Sequence, residues 1–129
     1  MRAQSSVWIG IAEDDLEAAE HCMHGKQYLW SMFMCQQAVE KAIKAVFFNK
    51  TGLTPPKKHD LISLAGGADI LAQCSKDTRD LLRRLSLYYI EARYPDKRAE
   101  LEAKCTYENT KEILQRTKGG VAWLRSMLK

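Results

Sequence analysis

Between about Lys26 and Asn49 the chain carries an unbroken helical pattern, and the residues after it forbid any continuation. Met32, Cys35, Val39, Ala42, Ile43 and Val46 recur at spacings of three and four, and Phe33 and Phe47 widen the stripe. Asn49, Gly52, Pro55 and Pro56 follow. Two adjacent prolines cannot extend a helix, and they hold Thr54 in an extended conformation. A long apolar helix closed this sharply must find neighbours of its own kind.

The rest of the chain supplies them. Trp8, Ala12, Leu16, Ala19 and Met23 mark a first helix from Ser5 or Ser6, either of which can cap it, to about His24, with Gly25 at its end. Asp60 can cap a short helix through Leu61, Ile62, Leu64 and Ala65 that Gly66 and Gly67 stop. Residues 69–74 fit no clear pattern. A third long helix is expected from Ser75 or Asp77 to about Ala92, with Leu81, Leu82, Leu85, Tyr88 and Tyr89 inward and Pro95 ending it. The stretch from Tyr94 to Thr106 is polar and reads as a loop or a helical turn. Thr106 can cap a last helix faced by Ile113, Leu114, Val121, Leu124 and Leu128. Gly119 and Gly120 inside it are candidates for a kink. No segment alternates as a strand would. The expectation is all-α: one domain over residues 1–129, an antiparallel up-and-down bundle of four to five helices.

At 129 residues, with 46% hydrophobic and 28% charged residues, the chain is long enough to bury a core and too apolar for disorder. Its 20 basic and 16 acidic residues leave a formal charge of +4, milder than that of a dedicated nucleic-acid binder. Basic pairs stand at Lys57–Lys58, Arg83–Arg84 and Lys97–Arg98. Cys22, Cys35, Cys74 and Cys105 form no CxxC pair and read as free thiols of a reducing cytoplasm. No basic start leads into an apolar run, and no stretch approaches the ~20 apolar residues of a membrane span. A cytoplasmic protein without membrane contact, metal or cofactor is expected.

Three pieces of the pattern belong together. The first is Ala12, Asp15, Leu16 and Ala19. The second is Gly25-x-x-Tyr28 with the run Gln36-Gln37-Ala38-Val39-Glu40-Lys41-Ala42-Ile43-Lys44-Ala45. The third is His59-Asp60-Leu61 with Tyr88-Tyr89-Ile90-Glu91-Ala92-Arg93-Tyr94-Pro95-Asp96. In that order, from about Ser5 to the C-terminus, the chain resembles the HEPN domain family in its compact single-domain prokaryotic form. The resemblance implies a helical bundle, commonly a homodimer, and a partnership with a minimal nucleotidyltransferase in pairs that behave as toxin–antitoxin modules. It also implies either metal-independent ribonuclease activity or non-catalytic nucleotide binding.

The ribonuclease members carry an arginine followed five to seven positions later by a histidine. The arginine stabilises phosphate charge and the histidine moves protons. Here the histidines are His21, His24 and His59, and none has an arginine at that spacing before it. A ribonuclease would need a rearranged site built from His59 and Arg93. His21 and His24, with Glu17 or Glu20, have the spacing of metal ligands but read as an exposed pair at a helix end.

The residues placed at a nucleotide site are Arg93, Tyr94, Asp96 and Lys97 after the third long helix, Lys58 and His59 after the prolines, and Tyr89. Arginine can take a phosphate through two parallel hydrogen bonds, tyrosine can stack on a base, and Asp96 can accept from a ribose. The structural alternatives stand beside these roles. Arg93 can instead pair with Glu40, Asp15 or Asp96, Asp60 can simply cap its helix, and Tyr89 can be core. Asp15 with Lys41 or Lys44 is another pairing, and Glu40–Lys44 a solvated i,i+4 pair. Three functions remain: a non-catalytic nucleotide- or RNA-binding module, an altered ribonuclease, and a protein-interaction subunit without a ligand.

Overall fold

The computed structural model describes residues 1–129, the side chain of Ile90 excepted. Six α-helices follow one another: α1 (Ala3–His24), α2 (Tyr28–Thr51), α3 (Leu61–Gly67), α4 (Lys76–Ile90), α5 (Pro95–Lys104) and α6 (Tyr107–Ser126). Short 3-10 turns at Leu71–Gln73 and Glu91–Arg93 flank α4, and no strand occurs among the described residues. The four long helices α1, α2, α4 and α6 make the bundle. The fold class is all-α, as the periodicity demands.

Helix α2 is the central element. It packs against α1, α4 and α6, and α3 lies across it. More than half of its residues are buried, so its whole circumference is used rather than one stripe. Helix α1 runs antiparallel to it. The Ser31 hydroxyl donates to the Ala19 carbonyl at 2.9 Å, and the Arg2 backbone NH and Nε donate to Asn49 Oδ1 and O, both at 3.0 Å. Helix α6 lies antiparallel along α1, joined by Lys118–Glu20 and Arg125–Glu13 ion pairs. Met32, Ile43, Leu61, Ile70, Leu85 and Ile113 fill the centre. All four cysteines are free, and burial pushes the Cys35 thiol up to about 12, so it packs as a hydrophobe. No helix is long and apolar enough to cross a membrane.

Several boundaries move from their expected places. Helix α1 begins at Ala3 with Arg2 in the capping position, not at Ser5 or Ser6; Ser5 is 0% exposed inside it. The bonds from Arg2 to Asn49 hold the extra turn. Helix α2 runs two residues past Asn49 and stops at Gly52, whose φ of 70° is left-handed. A Cβ there would meet the Arg2 guanidinium at 2.8 Å, a contact the flexible end of that exposed side chain can relieve, so it is the left-handed dihedral that calls for glycine. Asp60 and Thr106 cap α3 and α6 as anticipated, and of the two starts expected for α4, Ser75 rather than Asp77 is its cap; the three accept from the NH groups of Ile62, Asn109 and Thr78.

The larger corrections concern the last third of the chain. The α-helical part of α4 ends at Ile90 rather than Ala92 and tightens into the 3-10 turn. Pro95 does not merely end that segment; it opens α5 from its first position, where a missing NH costs nothing. The polar stretch after it is a ten-residue helix. Leu101 and Cys105 anchor it inward, and Arg98–Glu102 and Lys97–Glu100 pairs line its outer side. Helix α6 does not break at Gly119–Gly120. Thr117, Val121 and Leu124 bury one continuous face through the glycines. Nothing lies within 4 Å of a Cβ built at Gly119. Gly119→Ala should therefore stabilise the protein by about 0.5–1 kcal/mol. A urea midpoint that falls instead would show that the glycine is needed.

Candidate functional site

The site starts from a polar row inside an apolar helix. Gln36, Glu40 and Lys44 are spaced by four and project from one face of α2. That face is covered, leaving Glu40 1% and Lys44 7% exposed, so this is no solvated pair. A buried carboxylate needs partners, and Glu40 has them. Its Oε1 accepts from Gln36 Nε2 at 3.1 Å and faces His59 Nδ1 at 3.0 Å. Its Oε2 accepts from Lys44 Nζ at 3.0 Å and Lys41 Nζ at 3.5 Å. Burial pushes the Glu40 carboxyl up. The bonds from Gln36, His59 and Lys44 and the Lys41 charge outweigh it, so the group lies below its ordinary 4.5 and is ionised at neutral pH.

His59 reaches Glu40 because the chain cannot fold back into helix after Pro55–Pro56. Gln36 Nε2 also donates to the His59 carbonyl at 3.1 Å, fixing the backbone. One residue on, Asp60 caps α3, and the Leu61 NH donates to the Ser86 hydroxyl at 3.0 Å, tying the linker to α4. An ionised Glu40 can only accept, so the His59 Nδ1 carries a proton and donates it to Oε1. The Tyr89 hydroxyl lies 3.0 Å from Nε2. The two rings are stacked, with centroids 3.9 Å apart and planes 22° from parallel. The hydroxyl therefore meets Nε2 obliquely, from the face of the imidazole.

Tyr89 also stacks on Phe33 at 6.1 Å, and the Arg93 guanidinium lies 4.4 Å from the Tyr89 ring centre. His59, Tyr89 and Arg93 thus form one contact chain standing on the Glu40 network. Arg93 is exposed, and among the described residues no carboxylate lies within ion-pair distance of it. None of the pairings of Arg93 with Glu40, Asp15 or Asp96 is made, and Glu40 is already bonded to Gln36, Lys41, Lys44 and His59. Asp15 faces Lys41 without a direct ion pair. Its carboxyl is pushed up by burial, while Lys41 pulls it part of the way back.

The other expected site residues stand around this chain rather than in it. Tyr94, 60% exposed, occupies the capping position of α5 without a side-chain cap. Asp96 lies in the first turn of α5, where a carboxylate complements the helix dipole. Lys97 Nζ is 3.8 Å from Glu100, and Lys58 Nζ donates to the Ser63 hydroxyl at 3.3 Å. His21 and His24 are apart from the site. His21 makes an exposed 3.8 Å contact with Glu17, and no group of three metal-ligating side chains occurs among the described residues. Sequence reading missed Gln36 as Glu40's partner and Phe33 as the platform under Tyr89. The i,i+4 row of polar residues in an apolar helix carries a signal for the first; Phe33 carries none.

Bundle and site together define a helical module in which a buried carboxylate holds a part-exposed imidazole, a half-buried tyrosine ring stacked on it, and an exposed guanidinium over that ring with no carboxylate partner. The chain belongs to the HEPN family, whose domain model matches residues 5–125; at the family level it is a nucleotide- or RNA-related module. Its fold is similar to that in the crystal structure of TT1696 from Thermus thermophilus, with a TM-score of 0.82 and 22% identity, covering 98% of this chain and 100% of that one. No curated protein matches the sequence.

Proposed function

We propose that this chain is a non-catalytic nucleotide- or RNA-binding module, homodimeric, acting beside a minimal nucleotidyltransferase in a toxin–antitoxin-type pair. The observation that carries the binding role is Arg93: an exposed guanidinium, without a carboxylate partner, held over an aromatic ring. Phosphate docks on Arg93, which the Tyr89 ring holds in place, with Lys58 and Lys97 adding charge, and a base stacks on the exposed Tyr94. Asp96 accepts from the sugar. Glu40 keeps His59 and Tyr89 in place. The second copy and the nucleotidyltransferase rest on the family resemblance alone.

A thermal-shift series with ATP, GTP and short RNA, with and without Mg²⁺, tests the reading. A ligand at ~100 times its dissociation constant adds roughly 2.7 kcal/mol of apparent stability. Arg93→Ala should lower the unliganded stability only by about 0.5–1 kcal/mol, the value of an exposed cation–ring contact, since the side chain is exposed and has no carboxylate partner. Binding should weaken about 10- to 100-fold, the range of a lost charge-assisted contact. An unaltered ligand shift in Arg93→Ala would remove Arg93 from the site.

A ribonuclease reading has one observation in its favour. Glu40 sets the His59 tautomer so that Nε2 can accept a proton, and His59 and Arg93 both touch Tyr89. RNA cleavage abolished by His59→Ala would favour that reading over simple binding.

A further inference from the structure

The aromatic row does not end at Phe33. Trp30, one turn earlier on α2, meets Phe33 edge-on with centroids 5.9 Å apart. Trp30 is 44% exposed. The Arg98 guanidinium of α5 lies 5.2 Å from its ring centre, positioned by Glu102 at 2.9 Å. The row therefore carries a guanidinium at each end: Arg93 on Tyr89 and Arg98 on Trp30. Beside Trp30 and Arg98 an open recess of about 260 Å³ separates the start of α2 from α5, with Lys26 and Tyr28 on its wall. That volume is just under the ~300 Å³ at which pockets begin to enclose a drug-sized ligand. It suits a base-sized group.

Phe33 and Tyr89 are partly buried, so the row presents Trp30 as its open ring, with a cation beside it, and an exposed ring beside a cation is the element by which single strands are held, since every base has a face to stack and every link a charge to meet. Ring steps of 5.9 and 6.1 Å separate Trp30 from Tyr89. A stacked strand advances about 3.4 Å per nucleotide, so one nucleotide cannot cover both ends of the row.

We propose that Trp30 with Arg98 is a second base-stacking subsite, and that the ligand is single-stranded nucleic acid of at least two nucleotides rather than a free mononucleotide. This rests on the nucleotide- or RNA-binding reading of the Arg93 end. One base lies against the exposed Tyr94 beside Arg93, the phosphate that follows passes toward Arg98, and a later base lies on the exposed face of Trp30.

The experiment is a titration at fixed salt with AMP and with oligoadenylates from the dimer to the octamer, on the intact protein and on Trp30→Ala, Trp30→Phe and Arg98→Ala. Oligomers should bind roughly tenfold or more tightly than AMP. Trp30→Ala should abolish that gain without changing AMP affinity, and Trp30→Phe should keep much of it. Should Trp30→Ala fail to fold, Arg98→Ala carries the test, with a partial loss of the gain expected. AMP binding without any gain on lengthening, or a gain that survives both alanine variants, overturns the second subsite and leaves the Arg93 site standing. No binding of AMP or of any oligomer overturns both.

Discussion

Glu40→Gln should lower stability at pH 7 by about 3–5 kcal/mol, the cost of leaving a buried ion without its partner. The carboxylate is almost wholly buried and holds Lys44, Lys41, Gln36 and the His59 ring at once. Removing its charge leaves the Lys44 ammonium enclosed beside the Trp8 ring, 5.8 Å from its centre. Replacing Lys44 by Met in the same protein should restore much of the loss, because removing both charges is far cheaper than removing one. A urea series on the two single variants and the double variant reads this directly, and additive losses would show the two side chains to be uncoupled. The pH dependence follows from the lowered carboxyl. Its stabilising contribution is complete above the ordinary value of 4.5 and is lost as pH falls through the depressed value in the folded state. The intact protein should therefore lose stability below about pH 4.5, and Glu40→Gln should show a shallower acid limb.

Leu85→Ala should cost about 2–5 kcal/mol, as much as any truncation in the core. Leu85 is fully buried on α4, one turn before Tyr89. Its deletion leaves a cavity among packed neighbours rather than a gap at the surface. Tyr89→Ala should have the opposite profile. The ring is half-buried between His59, Phe33 and Arg93, so the loss of stability should be smaller, and affinity for the nucleotide ligand should fall roughly 5- to 100-fold because the ring no longer holds Arg93 in place. Melting temperature and ligand affinity, measured on both variants well below their midpoints, separate the two roles. A Leu85→Ala protein that binds weakly, or a Tyr89→Ala protein that binds normally, would reverse the assignment on α4.

Helical periodicity closed by glycine, proline and capping side chains places the long helices at the level of sequence. The stripe of α2, the double proline behind it and the caps at Asp60, Ser75 and Thr106 all act within a few residues, so local pattern carries them. The resemblance to the family likewise rests on runs in α1, in α2 and between His59 and Asp96, and the family itself is matched over residues 5–125. What local pattern could not carry was settled by contacts between distant segments. Arg2 lengthens α1 by reaching Asn49. Leu101 and Cys105 turn a polar stretch into α5 by finding buried space. A buried face running through Gly119 and Gly120 keeps α6 whole.

The site divides in the same way. Arg93, Tyr94, His59 and Tyr89 stand out as residue types suited to a phosphate and a base. Which of them touch is decided by packing, because they come from the linker after α2, the end of α4 and the turn beyond it. Glu40 looked like one half of a surface pair, since an i,i+4 spacing is the same on a solvated face and a buried one. Only the covering of that face by the rest of the fold makes it the anchor of His59 and leaves Arg93 without a carboxylate. Sequence determined the helices and the chemistry on offer; tertiary structure decided which charges are sealed together and which is left facing solvent, because burial and pairing are properties of neighbours far apart along the chain.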